Sequence, residues 1–371
     1  MELMATCAFG LEKLVQEEMK KIGLWVEKTE DGRVSFVGDE SGLVWANLWS
    51  RCADRIQIKM GEFTAQTFDQ LFDAIQALDW GKYIGVNDAF PVVATSVKSL
   101  LRSEPAIQSI VKKAVVKKLR QKHAIEVFPE NSGAVYQIVV KFNKDRCVIS
   151  IDSSGESLHK RGYRTQASVA PLKETLAAAL VKLSDWTPER TLVDPFCGSG
   201  TIAIEAARMA QKIAPGLHRP FAFQKWRWMD QKKIAEAYAE ANSAVKPAEK
   251  LPMYCFDIDA AVLALAEENA ARARCEGIHF KRSDFMDLDF SKFENCTFIA
   301  NPPYGERLDD AAHVKAMYRE FGKKFAQTKN CSLFLLTSHE NFPALFGRTA
   351  DKNRKLFNGN IRCYLFSFLP R

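Results

Sequence analysis

Residues 191–201 read Thr-Leu-Val-Asp-Pro-Phe-Cys-Gly-Ser-Gly-Thr, a short strand pattern closed by Asp194 and a turn with glycines at 198 and 200. The turn opens onto the small and apolar residues of Thr201 to Ile213, which predict a helix. Glycines at that place let the backbone approach a ligand at a helix N-terminus. The same strand-to-helix rhythm continues outward. Pro171 to Trp186 predicts a helix before the turn. Met253 to Phe256 predicts a strand ending in Asp257 and Asp259, and Ala260 to Arg274 a helix. His279 to Lys281, Thr297 to Ala300 and Ser332 to Thr337 read as further strands, with a helix near Val314 to Phe325. Asn358-Gly359 separates Lys355-Leu356-Phe357 from Ile361 to Leu369, a hairpin signal. Strands alternating with helices predict an α/β doubly wound parallel sheet, and the closing hairpin makes its last strand antiparallel.

Three ligand chemistries compete for the glycine turn. A phosphate-gripping loop ends in Gly-Lys-Ser/Thr, and the lysine is missing. A nicotinamide fingerprint is met in its alanine form by Ala203, but the next strand-end acid, Asp257, lies 57 residues past Gly200, not about 20. Asp194 would also repel a diphosphate. S-adenosylmethionine fits better, because an acid can face its cationic end and no diphosphate has to be neutralised. A tight turn without a ligand also remains open. Two more acids favour a ligand. Asp257 can accept from ribose hydroxyls, and Asp284, after His279 to Lys281, from an adenine amino group. Ligands of open α/β sheets bind at such strand ends.

Asn301-Pro302-Pro303-Tyr304 follows the strand Thr297 to Ala300. Two prolines fix an extended turn and remove two N–H donors. The Asn301 side-chain oxygen and the Pro302 carbonyl remain as acceptors for both hydrogens of a base amino group. Binding a more tetrahedral nitrogen would restore its nucleophilicity toward an electrophilic methyl. Tyr304 can stack on the base.

The first half has a different texture. Leu11, Leu14, Val15, Met19 and Ile22 sit at helical spacing before Gly23, and Asp31-Gly32 joins Trp25 to Glu30 with Arg33 to Val37 as a hairpin. Leu43 to Trp49, Phe68 to Leu78 and Pro105 to about His123 predict helices. Ile56 to Met60, Phe90 to Val97, Val135 to Phe142 and Cys147 to Ile151 predict strands. The reading is of small α+β units, not one large parallel sheet, with a junction at Ser153-Ser154-Gly155. Between Lys98 and Lys122 stand eight basic residues against one acid, Glu104. Lys113, Lys117 and Arg120 share a helix face, with Lys112 close by, and could track phosphates. Arg161 and Arg164, with Tyr163, stand where the halves meet, and Arg307 follows the tetrad.

The chain has 371 residues, 47% hydrophobic and 26% charged, and a formal net charge of +7. This excludes a disordered or collagen-like chain, and no apolar run reaches the roughly 20 residues of a membrane span. Nine dispersed cysteines read as reduced thiols of a cytoplasmic protein, and neither they nor the six isolated histidines offer zinc spacing. No metal is expected.

Asp194 to Thr201, Phe256-Asp257-Ile258-Asp259 and Asn301 to Arg307 resemble the class I amino-methyltransferases. Leu158 to Arg164 followed by Ala170 to Glu174 is similar to the subgroup with an N-terminal THUMP RNA-binding domain, the RNA guanine-N2 methyltransferases; the Ala5-Thr6 to Glu12 opening agrees. The resemblance implies a Rossmann-like methyltransferase sheet over 171–371, a linker over 156–170, a THUMP domain over 61–155 and a ferredoxin-like α+β segment over 1–60. It implies that Asp194, Gly198 and Gly200 wrap the methionine part of S-adenosylmethionine, with Asp257 on the ribose and Asp284 on the adenine. Pro195, Phe196, Thr201, Ile258 and Phe285 belong to the same expected cofactor site. Asn301, Pro302, Pro303 and Tyr304 would grip the target amino group. Lys112, Lys113, Lys117, Arg120, Arg161, Arg164 and Arg307 are the expected RNA contacts. The expected target is guanine N2 in 23S ribosomal RNA. A transfer RNA guanine, adenine N6 of DNA, and a non-catalytic RNA-binding protein with a relic methyltransferase fold are the alternatives.

Overall fold

The structure is a computed structural model that describes residues 1–130, 133–164, 172–247, 251–304 and 310–370. The first half folds around one seven-stranded sheet. Its strands are β1 (Glu2–Thr6), β2 (Trp25–Glu30), β3 (Arg33–Val37), β4 (Arg55–Thr64), β5 (Val92–Val97), β6 (Gln137–Asn143) and β7 (Arg146–Asp152), in the order β2-β3-β1-β4-β7-β6-β5. Helices α1 (Glu12–Lys21), α2 (Glu40–Trp49), α3 (Phe68–Ala77) and α4 (Glu104–His123) accompany it. Asp31-Gly32 closes the β2–β3 hairpin with Gly32 at φ +73°.

The two small α+β units expected from the sequence share one continuous sheet. β4 is ten residues long and is paired on both sides, with β1 along Arg55 to Ile58 and with β7 from Gln57 to Thr64. Residues 60 and 61 therefore lie inside one strand, at a register shift between Lys59 and Gly61. Alternation of Ile56, Ile58 and Met60 marks a strand but carries no information about its partners.

The second half holds strands β8 (Thr191–Asp194), β9 (Met253–Asp257), β10 (Ile278–Arg282), β11 (Cys296–Ala300), β12 (Ser332–Thr337), β13 (Lys352–Asn358) and β14 (Ile361–Phe368). Helices α5 (Glu174–Leu183), α6 (Thr201–Ala210), α7 (Gln231–Ser243), α8 (Ala260–Arg272), α9 (Asp310–Phe325) and α10 (Phe342–Phe346) pack with them. The strand order is β10-β9-β8-β11-β12-β14-β13. Strands β8 to β12 run parallel, and β14 is antiparallel to both its neighbours, as the hairpin requires. Every residue of β11 and β12 is buried, as in a sheet covered on both faces. From β8 the chain steps outward to β9 and β10, then returns to place β11 on the other side of β8. That reversal opens a crevice at the carboxyl ends of β8 and β11.

Helix α5 stops at Leu183, short of the expected Trp186. The Ser184 hydroxyl donates to the Val181 carbonyl and accepts from the Trp186 N–H, a local competitor to helical bonding. Helix α7 was not expected. Its buried residues Ile234, Ala237 and Ala241 make too weak an apolar stripe to read, although Asp230 caps it through the Lys232 N–H.

The junction is a buried polar knot. Asn47 donates to Ser153 Oγ (2.9 Å) and accepts from Ser154 Oγ (2.7 Å), and Ser154 Oγ also accepts from the Ile56 N–H. Arg219 donates to the carbonyls of Glu156 and Ser157, both at 2.6 Å. Farther out, Trp226 stacks on Tyr136 with centroids 4.7 Å apart, and its indole N–H donates to the Val135 carbonyl at 3.0 Å. One hydrophobic core runs through both halves, from Leu3 to Leu365. Among the described residues no helix is long and apolar enough to cross a membrane.

Candidate active site

The glycine turn is built as its sequence implies, between β8 and α6. Gly198 adopts φ +54°, and a Cβ there would meet no heavy atom within 4 Å among the described residues, so the backbone faces open space. Gly200, at φ +79°, is different: a Cβ would lie 3.1 Å from the Phe280 ring and 3.2 Å from Ala266. The first glycine leaves room for a ligand, and the second lets α6 start against its neighbours. The Cys197 N–H donates to the Phe256 carbonyl and the Gly198 N–H to Asp257 Oδ2, each at 2.9 Å, so the turn is tied to the end of β9. Asn269 on α8, buried, donates to the Ser199 carbonyl at 3.2 Å. Its only trace in the sequence is an amide on the apolar face of Leu263, Ala266 and Ala270.

Asp194 is 1% exposed. Its Oδ1 accepts from the Phe196 N–H at 3.1 Å, while Oδ2 has no partner among the described residues. Burial pushes its carboxyl up to about 8, the Phe196 N–H opposes that rise, and the Asp257 charge adds to it. A buried carboxyl with an unused oxygen is a receptor for a cation. Asp257 also accepts from the Asp259 N–H, and Asp284 accepts from the Met286 N–H. Asp194, Asp257 and Asp284 thus stand at the carboxyl ends of three adjacent strands, β8, β9 and β10. Ile258 is 59% exposed at the end of β9, an apolar surface beside the acids. Phe285 is buried and stacks on Phe196 with centroids 4.8 Å apart. Pro195 and Thr201 are buried.

Across the crevice, Asn301 follows the fully buried β11. Pro302 is buried and Pro303 exposed. The Tyr304 phenol donates to Asn301 Oδ1 at 2.6 Å, and the Tyr318 phenol to the Pro303 carbonyl at 3.4 Å. Burial, with the Cys363 thiol of β14 nearby, pushes the Tyr304 phenol far up, so it remains a donor.

The expected RNA cations do not share one environment. Lys113, Lys117 and Arg120 are exposed on α4. Lys112 leaves that stripe: its ammonium lies 2.6 Å from the Glu130 carboxylate and 3.6 Å from the centre of the Phe90 ring. The reading of Arg161 and Arg164 as RNA contacts needs correction. The Arg161 side chain is 1% exposed, donates to the Leu158 and Arg51 carbonyls and lies 3.7 Å from Glu205. Arg164 pairs with buried Glu174 at 3.4 Å and donates to Thr201 Oγ1 at the start of α6. Both arginines balance acids inside the protein, which their sequence neighbourhood does not reveal. Arg307 lies outside the described residues.

Comparison with known proteins agrees with this architecture. Residues 161–366 match the model of the RMKL-like methyltransferase domain, residues 2–57 the RlmL ferredoxin-like domain and residues 65–152 the THUMP domain. A Bacillus subtilis (strain 168) protein named "Putative RNA methyltransferase YpsC" is 44% identical over 99% of this chain and 95% of its own length. The crystal structure of SMU.472, described as "a putative methyltransferase complexed with SAH", is 42% identical, covers 100% of this chain and 98% of its own, and has a TM-score of 0.94. A Listeria monocytogenes str. 4b F2365 structure titled "a predicted N6-adenine-specific DNA methylase" is also 42% identical, covers 100% and 96%, and has a TM-score of 0.93. The chain belongs to the RlmL-like family of methyltransferases, in which a ferredoxin-like segment and a THUMP domain precede the methyltransferase domain.

Proposed function

We propose that the protein is an S-adenosylmethionine-dependent RNA methyltransferase that acts in the cytoplasm on the N2 amino group of a guanine, in 23S ribosomal RNA. The observation that carries the reading is the crevice between β8 and β11, with Asp194 and its unpartnered Oδ2 on one side and Asn301 to Tyr304 on the other. S-adenosylmethionine supplies, when bound, a methyl group already activated on a sulfonium. The residues fit it. Asp194 offers a buried carboxylate to a cationic end, and Gly198 leaves open space over the turn. In this reading Asp257 accepts from the ribose hydroxyls, and Asp284 with Ile258 and Phe285 receives the adenine.

On the acceptor side, Asn301 Oδ1 and the Pro302 carbonyl receive the two hydrogens of the target amino group. Holding both turns the nitrogen lone pair out of the ring and toward the methyl. No base has to act first, because the amine can lose its proton after attack. Tyr304 stacks on the base once its phenol leaves Asn301.

The THUMP and RlmL-type segments and the name of the B. subtilis relative support RNA as substrate. The description of the Listeria neighbour favours adenine N6 of DNA. Mass mapping of modified nucleosides from a deletion strain separates the two. Loss of N2-methylguanosine at one ribosomal site is the expected result, and loss of N6-methyladenine from DNA overturns it.

A further inference from the structure

Residues 222–228, Ala-Phe-Gln-Lys-Trp-Arg-Trp, form a strap from the methyltransferase half across the first half. The strap alternates. Trp226 and Trp228 point inward, onto Tyr136 at 4.7 Å and Tyr83 at 5.2 Å between ring centroids. Lys225 and Arg227 point outward and are exposed. The strap thus carries two cations of one half onto the surface of the other.

The ground they reach is prepared for them. A Cβ at Gly85 would lie 1.6 Å from an Arg227 guanidinium nitrogen, so the absence of a side chain there lets the guanidinium lie on the 80–88 loop. A Cβ at Gly81 would lie 2.1 Å from the Lys122 stem, so the same loop carries the last lysine of α4. Lys82, between the two glycines in sequence, is exposed. The acids nearby neutralise these charges only in part. Asp88 lies 3.6 Å from Arg227, but both its oxygens already accept from backbone N–H groups of Gly85 and Ala134. Arg227 keeps 66% of its side chain exposed. Asp79 meets Lys122 only at 3.8 Å, and both are largely exposed, an arrangement worth little in water. Lys225 and Arg227 line a cavity of about 510 Å³ together with Val86, Asn87 and Gly133.

We infer that Lys225 and Arg227 of the strap, with Lys82 and Lys122 of the first half, form one RNA-phosphate site that crosses the junction. This rests on the reading of the protein as an RNA enzyme. An exposed, half-neutralised guanidinium presents paired N–H donors suited to a phosphate, and the lysines add charge on either side. A site shared by both halves also holds the RNA in a fixed register to the crevice, because the strap belongs to the catalytic half.

The test measures binding of a 23S ribosomal RNA transcript to the full chain across a salt series. Lys225→Gln with Arg227→Gln should flatten the log–log salt dependence by roughly 1.4–1.8 units, about 0.7–0.9 for each lost phosphate. The S-adenosylmethionine dissociation constant should stay the same. Arg227→Lys should recover part of the slope, which a purely structural role for the Arg227–Asp88 contact would not explain. Lys232→Gln, a control on α7, should change nothing. An unchanged slope in the double variant, with the unaltered chain still binding the transcript, overturns this site alone. Failure of the unaltered chain to bind any RNA overturns the RNA reading and this site with it.

Discussion

The phenol of Tyr304 donates to Asn301 Oδ1 at 2.6 Å, so the tetrad's own tyrosine shares the acceptor proposed for the target amino group. In the proposed mode the base competes with that phenol for Asn301 Oδ1. Tyr304→Phe keeps the ring and frees the acceptor. A typical net hydrogen bond is about 0.5–1.5 kcal/mol, so the KM for RNA should fall roughly two- to tenfold. Tyr304→Ala loses the stacking surface as well and should weaken productive RNA binding by about 1–3 kcal/mol. Steady-state kinetics of the two variants separate the roles. A higher KM for Tyr304→Phe than for the unaltered chain would show that the phenol helps the substrate.

Asn301→Ala should leave cofactor affinity unchanged and lower the methylation rate by roughly 10²-fold or more, as for loss of one preorganised partner. Calorimetry and single-turnover rates measure the two effects separately. A normal rate removes Asn301 from the amino-group clamp.

Asp257 joins the glycine turn to β9 through the Gly198 N–H, and we propose that it also holds the cofactor ribose. Asp257→Ala should weaken S-adenosylmethionine binding by about 1.5–3 kcal/mol, the range for bonds to a charged group. Isothermal titration gives the number directly. An unchanged dissociation constant excludes Asp257 from the site.

Asp194 gives a dependence on pH. Its carboxyl rises from an ordinary 3.8 to about 8 in the fold, so the folded chain binds more protons than the unfolded one between those values. Its contribution to stability is therefore fully present below that window and is lost as pH rises through it. Cofactor affinity should move the other way, because a cationic ligand needs the ionised carboxylate. Affinity should increase up to about pH 8, by at most about tenfold per unit, with proton release on binding. Asp194→Asn should flatten the profile. Titrations in buffers of different ionisation enthalpy detect the released proton, and a flat profile in the unaltered chain would sink the assignment.

Much of this was readable beforehand because the signals are local. The Gly198 and Gly200 turn, the acids closing β8 and β9, the β2–β3 hairpin and the Asn358-Gly359 turn all depend on residues a few positions apart. What stayed hidden depends on residues far apart. Arg161 looks like a surface cation until Glu205 is placed beside it. Lys112 looks like part of a stripe until Glu130 reaches it from the segment beyond α4. Ser153-Ser154 reads only as a junction until Asn47, more than a hundred residues earlier, binds both hydroxyls. Periodicity reports which side of an element is apolar; it does not report what an ionisable side chain will meet.

The Trp226–Tyr136 stack has a consequence for how the chain is made. The first half leaves the ribosome while its later partner is still unsynthesised, since Trp226 follows Tyr136 by 90 residues. Until the strap emerges, the ring of Tyr136 and the carbonyl of Val135 have nothing to cover them on that side. At about 5–20 residues per second the wait is several seconds, long enough for a chaperone to engage the nascent surface. Completion of the RNA-facing half is thereby timed by translation of the catalytic half, so a ribosome stalled between the two would release a fragment that cannot close.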